Sequence, residues 1–212
     1  MPHAAHEPQH ILPLLAQAEP RSLAELNRMI EALPPLVAGA DRAVPGEGPE
    51  GAAIALVGEQ PGDQEEREGR PFVGPAGMLL NHALEEAGID RAQVYVTNAV
   101  KHFKYVQRGK RRLHQKPTGG DIQRYRWWLF KELEFVHPRL VVALGSTALQ
   151  ALAGRAMPVS RARGEARFDG YRGYVTVHPS YLLRIPDEAD KRRAYAEFRR
   201  DLERIRELAA QS

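Results

Sequence analysis

The 212-residue chain is long enough for one α/β domain with a full core, and its 43% hydrophobic content excludes a disordered protein. It contains no cysteine, which excludes disulfides, thiolate metal sites and cysteine nucleophiles. No apolar run approaches the ~20 residues that span a bilayer, and residues 1–9 lack the pattern of a secretory signal. We therefore expect a cytoplasmic protein that binds no membrane.

The N-terminal part of the chain predicts a loose arm followed by one helix. Ser22 is suited to cap that helix, and a pair of prolines beginning at Pro34 ends it. Residues 38–51 are rich in Gly, Pro and Ala, which indicates a loop. We divide the chain into an N-terminal arm and helix, residues 1–45, and a domain formed by residues 46–212.

Strand and helix patterns alternate through the domain. Four short apolar runs are typical of buried parallel strands, at residues 53–57, 94–97, 140–144 and 174–177. Amphipathic helical patterns occupy residues 79–87, 121–136, 146–153 (with Ser146 as its cap) and 187–209. This alternation predicts an α/β fold, a three-layer α/β/α sandwich with a central parallel four-stranded sheet.

Polar segments rich in Gly or Pro follow these strands. They are residues 58–62, 98–102, 145–146 and 178–180. The first is not a phosphate-binding P-loop, because no Gly-Lys-Ser/Thr follows it. Ligands of parallel sheets bind beyond the carboxyl ends of the strands, so the coincidence of all four segments at that edge predicts a site there.

Three side chains near this edge suit a flat ligand with a polar rim. The amide of Asn98 offers a donor and an acceptor together, which is the pairing needed to read a pyrimidine edge. Phe72 lies in a rigid loop, where it could stack on the ligand or simply anchor the loop in the core. A lone histidine is usually structural, but the position of His178 beside the other segments favours a functional role.

A basic run lies between Lys101 and Lys116. It holds seven Lys or Arg residues and no acid, with Phe103 and Tyr105 interleaved. The pattern indicates an edge that binds a polyanion. A solvated loop is the alternative interpretation.

Ordered motifs carry a resemblance to a known family. The motifs are Gly58–Asp63 (GEQPGD), Gly69–Gly77 (GRPFVGPAG), Val96–Lys104 (VTNAVKHFK) and His178–Ser180 (HPS). They resemble the uracil-DNA glycosylase superfamily and are most similar to its iron–sulfur glycosylases and their UdgX relatives. The insert Gly109–His114 (GKRRLH) resembles the loop that distinguishes UdgX. The likeness extends from about residue 46 to the C-terminus.

The resemblance implies an enzyme that flips deoxyuridine out of DNA, because the glycosidic bond is inaccessible within the base stack. Phe72 would stack on uracil, Asn98 would bind its O4 and N3 edge, and Gln60 would also bind the base. His178 would donate to O2, where negative charge grows as the base leaves. Glu59 would face the sugar cation.

The resemblance also implies two sets of DNA contacts. One set would hold the insert on the phosphate backbone, and the other would enter the gap left by the flipped base. The residues are Lys110, Arg111 and Arg112 in the insert, and Ser180, Tyr181, Leu182 and Arg184 in the wedge. The expected partner is uracil-containing DNA, single- or double-stranded, bound by a monomer.

In UdgX relatives a loop histidine, rather than water, attacks the sugar cation and leaves a stable protein–DNA bond. Here that histidine matches His114, with Glu59 placed to take its proton; imidazole is a competent nucleophile when neutral. Two alternatives stay open: a turnover glycosylase that releases an abasic product, and a non-catalytic nucleic-acid-binding protein. For His114 itself, a simple phosphate contact is the alternative.

The relatives carry an iron–sulfur cluster that is held largely by cysteines. The corresponding positions here fall near Glu31, Pro34, His102 and Tyr125. One histidine without thiolates cannot hold such a cluster, so we expect no metal and no cofactor. Aromatic packing by Tyr125, Trp127 and Trp128 is expected to fill the space.

Overall fold

The computed structural model describes residues 19–37 and 39–211, so the predicted arm before residue 19 lies outside the described residues. Helix α1 spans Leu23–Glu31 and begins at Ser22, whose hydroxyl accepts a hydrogen bond from the backbone N–H of Glu25 at 3.2 Å. The predicted cap is therefore confirmed.

The strands of the described chain fall into one sheet and one hairpin. In chain order they are Ile54–Gly58 (β1), Val94–Asn98 (β2), Tyr105–Arg108 (β3), Arg111–His114 (β4), Leu140–Leu144 (β5), Gly164–Phe168 (β6) and Tyr171–Thr176 (β7). The main sheet has the order β2-β1-β5-β7-β6, parallel except for β6, which pairs antiparallel with β7. This mostly parallel sheet confirms the α/β fold.

The predicted four-strand count is wrong by one, because β6 adds a fifth strand at the edge. Its sequence, GEARF, alternates exposed with partly buried positions and carries two charges. An edge strand exposes one face and one side to water, and charged residues there discourage pairing with other chains. It therefore has no continuous apolar run of the kind that marks the central strands.

Helices cover both faces of the sheet. After α1 they are Asp63–Glu68 (α2), Pro75–Glu86 (α3), Gly119–Val136 (α4), Ser146–Ala153 (α5), Val159–Ala162 (α6), Pro179–Leu183 (α7) and Glu188–Ala210 (α8). Alternate residues of β1 show the layering: Ala55 and Val57 pack with α1, α4 and α5, whereas Ile54 and Leu56 pack with α3 and α8. This arrangement is the expected three-layer sandwich.

Two helix starts differ from prediction for reasons of capping. α4 begins before Asp121, because Thr118 is the cap and Asp121 completes a capping box with it. The cap of α5 is Gly145, so Ser146 is its first helical residue. Among the described residues, no helix is both long and apolar enough to cross a membrane.

The basic insert is a β-hairpin rather than an irregular loop. Strands β3 and β4 pair antiparallel, with Gly109 at φ +59° in the turn. Because side chains of a strand alternate between faces, Arg112 and His114 share one face of the hairpin, and Arg111 and Leu113 share the other.

Candidate active site

The floor of the site lies where β1 and β2 end side by side. Gly58 pairs in register with Asn98, whose side chain is buried. A Cβ atom added at Gly58 would lie 2.5 Å from Oδ1 of Asn98 and 2.6 Å from the ring of Phe72. Only glycine leaves room for both side chains, which explains why the motif after β1 begins with this residue.

Phe72 forms one wall of the site through an unusual backbone. Its φ of +56° is rare for a side chain of this size and turns the ring toward His178, with the ring centroids 6.0 Å apart. A Cβ atom at Gly77 would lie 1.9 Å from the carbonyl oxygen of Phe72. The start of α3 therefore requires glycine in order to support this loop.

His178 caps α7, and its contacts define which ring nitrogen carries the proton. Nδ1 accepts from the backbone N–H of Ser180 at 3.1 Å, and the hydroxyl of Ser180 lies 2.8 Å from the same atom. Burial lowers the pKa of His178 to about 4, although Glu59 opposes the shift. The ring is therefore neutral at pH 7, with its single proton on Nε2 as a hydrogen-bond donor.

Glu59 and His114 meet across the site. Oε1 of Glu59 lies 2.9 Å from Nε2 of His114, and Oε2 accepts a hydrogen bond from the hydroxyl of Thr147. Burial raises the pKa of Glu59, but these hydrogen bonds more than offset it and leave the pKa below its ordinary value. The carboxylate is therefore ionised at pH 7 and faces an imidazole that is half exposed to solvent.

Thr147 was not among the predicted site residues. It is buried at the start of α5, directly after the Gly145–Ser146 segment. The sequence already placed that segment at the carboxyl edge of the sheet. Extending the candidate segment by one residue would have included Thr147.

The hairpin is held to the body of the protein by Arg112. Its guanidinium binds the carboxylates of Asp63 and Glu66 on α2 and stacks over the rings of Phe103 and Tyr105, 5.5 and 4.9 Å from their centroids. These contacts leave 14% of the Arg112 side chain exposed and pair its guanidinium with carboxylates of the chain itself, and its predicted phosphate contact stays a prediction. The acids that bind it were missed, because nothing in their local pattern indicates a partner more than 40 residues away.

Gln60 holds the base of the same hairpin. Its amide nitrogen donates to the carbonyl oxygens of Lys104 and Gln115 at 3.2 and 3.1 Å, and its amide oxygen accepts from the backbone N–H of Lys104 at 3.1 Å. Gln60 lines the cleft, but these contacts occupy its side-chain amide. These hydrogen bonds hold the base of the hairpin, and the predicted contact of Gln60 with uracil stays a prediction.

The wedge residues divide between surface and core. Tyr181 and Arg184 are exposed, but Leu182 is completely buried against the helices on that face. The predicted DNA contact of Leu182 is thus corrected, and the neighbouring Leu183, which is 42% exposed, occupies the position available to a ligand. The hydroxyl of Ser180 accepts from Arg184 at 3.1 Å and contacts His178, which joins the wedge to the site.

The tip of the hairpin carries Lys110 and Arg111, which are both exposed, and Arg111 lies on the face of β4 opposite Arg112. They are free to meet a polyanion. The basic run is therefore partly a solvated surface, whereas Lys101 is buried and Arg112 is paired with the acids of α2.

The residues at the expected cluster positions do not fit an iron–sulfur cluster. His102 is buried, with its Nδ1 atom 2.7 Å from the hydroxyl of Tyr125, and the chain supplies no thiolate. Within residues 19–37 and 39–211, no cluster of three His, Cys, Asp or Glu side chains could hold a metal ion. Tyr125 and Trp128 are buried there, and Trp127 packs edge-on against Trp128.

These walls enclose a cleft of about 1170 Å³ at the carboxyl edge of the sheet. Phe72 offers a ring for stacking, Asn98 a donor and an acceptor, and His178 a neutral donor. The ionised Glu59 faces His114 at the mouth. The fold and the site define an α/β protein whose cleft offers a stacking ring and hydrogen-bonding groups to a planar, polar-edged molecule, beside a carboxylate and an imidazole.

Comparison with known proteins identifies the family. A sequence profile of the uracil DNA glycosylase superfamily matches residues 45–203. The chain is 38% identical to a type-4 uracil-DNA glycosylase of Thermotoga maritima over 71% of this chain and 76% of that protein. Those of Pyrobaculum aerophilum (33%; 68% and 74%) and Sulfurisphaera tokodaii (32%; 79% and 74%) are also similar. The chain belongs to the uracil DNA glycosylase superfamily.

Proposed function

We propose that this protein is a uracil-DNA glycosylase of the UdgX type, which removes uracil and then bonds covalently to the DNA through His114. The observation that carries the proposal is the 2.9 Å contact between His114 and Glu59 at the mouth of the cleft. Family membership and the names of the type-4 relatives support the glycosylase activity.

Base departure would depend on the strand-end residues. A flipped deoxyuridine would stack on Phe72, with its O4 and N3 edge on Asn98. As the bond between C1′ and N1 breaks, the electron pair stays with uracil, and Nε2–H of His178 stabilises the charge that grows on O2. A donor in this position is worth ~3 kcal/mol. The ionised Glu59 would stabilise the sugar cation that remains.

Capture would depend on the hairpin. A hydrogen bond from one ring nitrogen of His114 to Glu59 leaves the lone pair on the other nitrogen. That nitrogen would bond to C1′, and the first nitrogen would pass its proton to Glu59, which leaves a neutral alkylated imidazole. A tethered imidazole has an effective concentration far above that of a free one, which favours it over water.

Two further features belong to the proposal. The enzyme works without an iron–sulfur cluster, which the donor chemistry around His102 supports. We also propose that it acts as a monomer on single- or double-stranded DNA. The monomer is supported by the position of Glu59, Asn98, His114 and His178, which line one cleft of a single chain.

The test is incubation of the purified protein with a uracil-containing oligonucleotide. The proposal predicts free uracil and a protein–DNA species that survives boiling in detergent, with peptide mass spectrometry placing the sugar on His114. Uracil release without that species would instead establish a turnover glycosylase. The absence of both would leave only a nucleic-acid-binding protein and contradict the proposal.

A further inference from the structure

A buried ion pair lies directly beneath the base-reading residue. Lys101 and Glu132 are both completely buried, and Nζ of Lys101 lies 2.6 Å from Oε2 of Glu132. Lys101 follows β2 in the turn that begins at Asn98, and Glu132 projects from α4. Neither residue lines the cleft, so direct contact with a bound base does not explain the pair.

The ammonium group of Lys101 is fully satisfied by one small set of acceptors. Besides Glu132, Nζ donates to the hydroxyl of Thr97 at 2.7 Å and to the backbone carbonyl of Asn98 at 2.8 Å. These contacts use all three N–H bonds of the ammonium. The lysine thus fixes the backbone at the end of β2, where the base-reading amide is attached.

Glu132 also accepts hydrogen bonds from the segment before β1 and from β2 itself. Its Oε1 accepts from the backbone N–H of Gly46 at 2.8 Å, and its Oε2 accepts from the hydroxyl of Thr97 at 2.7 Å. A buried ion pair is weak evidence for stability, because removing two charges from water offsets much of their attraction. Lys101 of this pair donates to the backbone carbonyl of Asn98, so the pair is placed to control the position of Asn98.

We propose that Lys101 and Glu132 are positioning residues that orient the amide of Asn98 for uracil recognition. The proposal rests on the proposed glycosylase function. The side chain of Asn98 is confined on one side by Gly58, and its backbone is held on the other by Lys101. Misplacement of a recognition group by about 1 Å lowers a reaction rate roughly a hundredfold.

A mutant cycle with Asn98 separates positioning from general support of the fold. The variant is Lys101→Met with Glu132→Gln, which removes both charges and keeps an amide to meet Gly46 and Thr97. Single-turnover uracil release should fall roughly tenfold to a hundredfold in the wild-type background. In the Asn98→Ala background the same change should have no further effect, because the group that it positions is absent.

Leu202→Ala is the matched control, since Leu202 is buried on the opposite face of the sheet. It lowers the melting temperature without touching Asn98, so its effect on uracil release should be equal in both backgrounds. If the double variant does not fold, Thr97→Val replaces it, because that change removes one hydrogen bond of the ammonium and leaves both charges in place.

An equal loss in both backgrounds, or no loss in the wild-type background, would overturn the positioning role and leave the glycosylase function standing. A wild-type protein that releases no uracil would remove both proposals together.

Discussion

The strand ends and the hairpin build the two halves of this site in different ways. Asn98 is buried in the body of the fold, and His178 is held by its hydrogen bonds within α7. His114, in contrast, lies on an exposed hairpin that reaches the cleft through the side-chain contacts of Arg112 and Gln60. The strand-end half is therefore fixed by the fold, whereas His114, the proposed nucleophile, is held by a few contacts that mutation can remove separately.

The largest effect is expected from the strand-end half. His178→Ala removes the neutral Nε2–H donor, so uracil release should fall about 10²- to 10³-fold. The adduct should fall in parallel, because the cation that His114 would capture forms only as fast as uracil leaves. His82→Ala is the control, since His82 is an exposed histidine on α3. Uracil release by both variants is measured under single-turnover conditions. Adduct formation that persists in His178→Ala while uracil release is lost would contradict the assignment of base departure to the strand-end half.

The second effect is on stability, and it comes from His102, which is buried in the body of the fold. Burial lowers the pKa of His102 to about 4, against about 6.5 in an unfolded chain. Between these values the unfolded chain binds more protons, so the free energy of unfolding should decrease by up to about 3 kcal/mol as the pH falls from 6.5 to 4. Urea denaturation at several pH values should show a weaker dependence in His102→Gln. If the free energy of unfolding of His102→Gln depends on pH as strongly as that of the wild type, His102 is not the origin of the dependence.

A smaller effect is expected when the hairpin is loosened. Arg112→Met removes the ion pairs to Asp63 and Glu66, so His114 should meet the sugar less often. Uracil release should stay near the wild-type rate, while the fraction of released uracil that ends as adduct falls about tenfold. Arg111→Met is the matched control on the outer face. A parallel loss of release and adduct in Arg112→Met would show that the two halves are not separable.

The smallest effect concerns the outer face of the hairpin. Replacing Lys110 and Arg111 with alanine removes two exposed cations. If both meet phosphates of double-stranded DNA, the slope of log affinity against log salt should become shallower by about 1.8, or ~0.9 for each contact. The yield of adduct at saturating DNA should not change. A slope equal to that of the wild type would show that the tip does not touch DNA.

The sequence predicted what depends on local pattern. Apolar runs located the central strands, and the polar segments after them located the edge at which Glu59, Asn98 and His178 meet. Strand β6 was missed because an edge strand needs no apolar run. Along α7, three consecutive residues are large and apolar or aromatic, and only the packing of the helix decides that Leu182 is the one that points inward.

The hairpin shows a second limit of prediction from sequence, which concerns contacts between residues far apart in the chain. Its basic composition predicted contacts with a polyanion, but pairing between distant side chains has no periodicity that a sequence displays. The partners of Arg112 on α2 and those of Gln60 at the hairpin base are of this kind. Nothing in the sequence therefore indicated that Arg112, predicted to contact phosphate, and Gln60, predicted to bind the base, also hold the hairpin that carries His114.

The most direct test of the central claim follows uracil release and adduct formation together in His114→Ala. This variant keeps His178 and Glu59, so uracil should still be released and the sugar cation should be captured by water. The expected result is free uracil, abasic DNA and no species that survives denaturation. A denaturation-resistant adduct in His114→Ala, or an adduct in the wild type located on another residue, would contradict the role of His114.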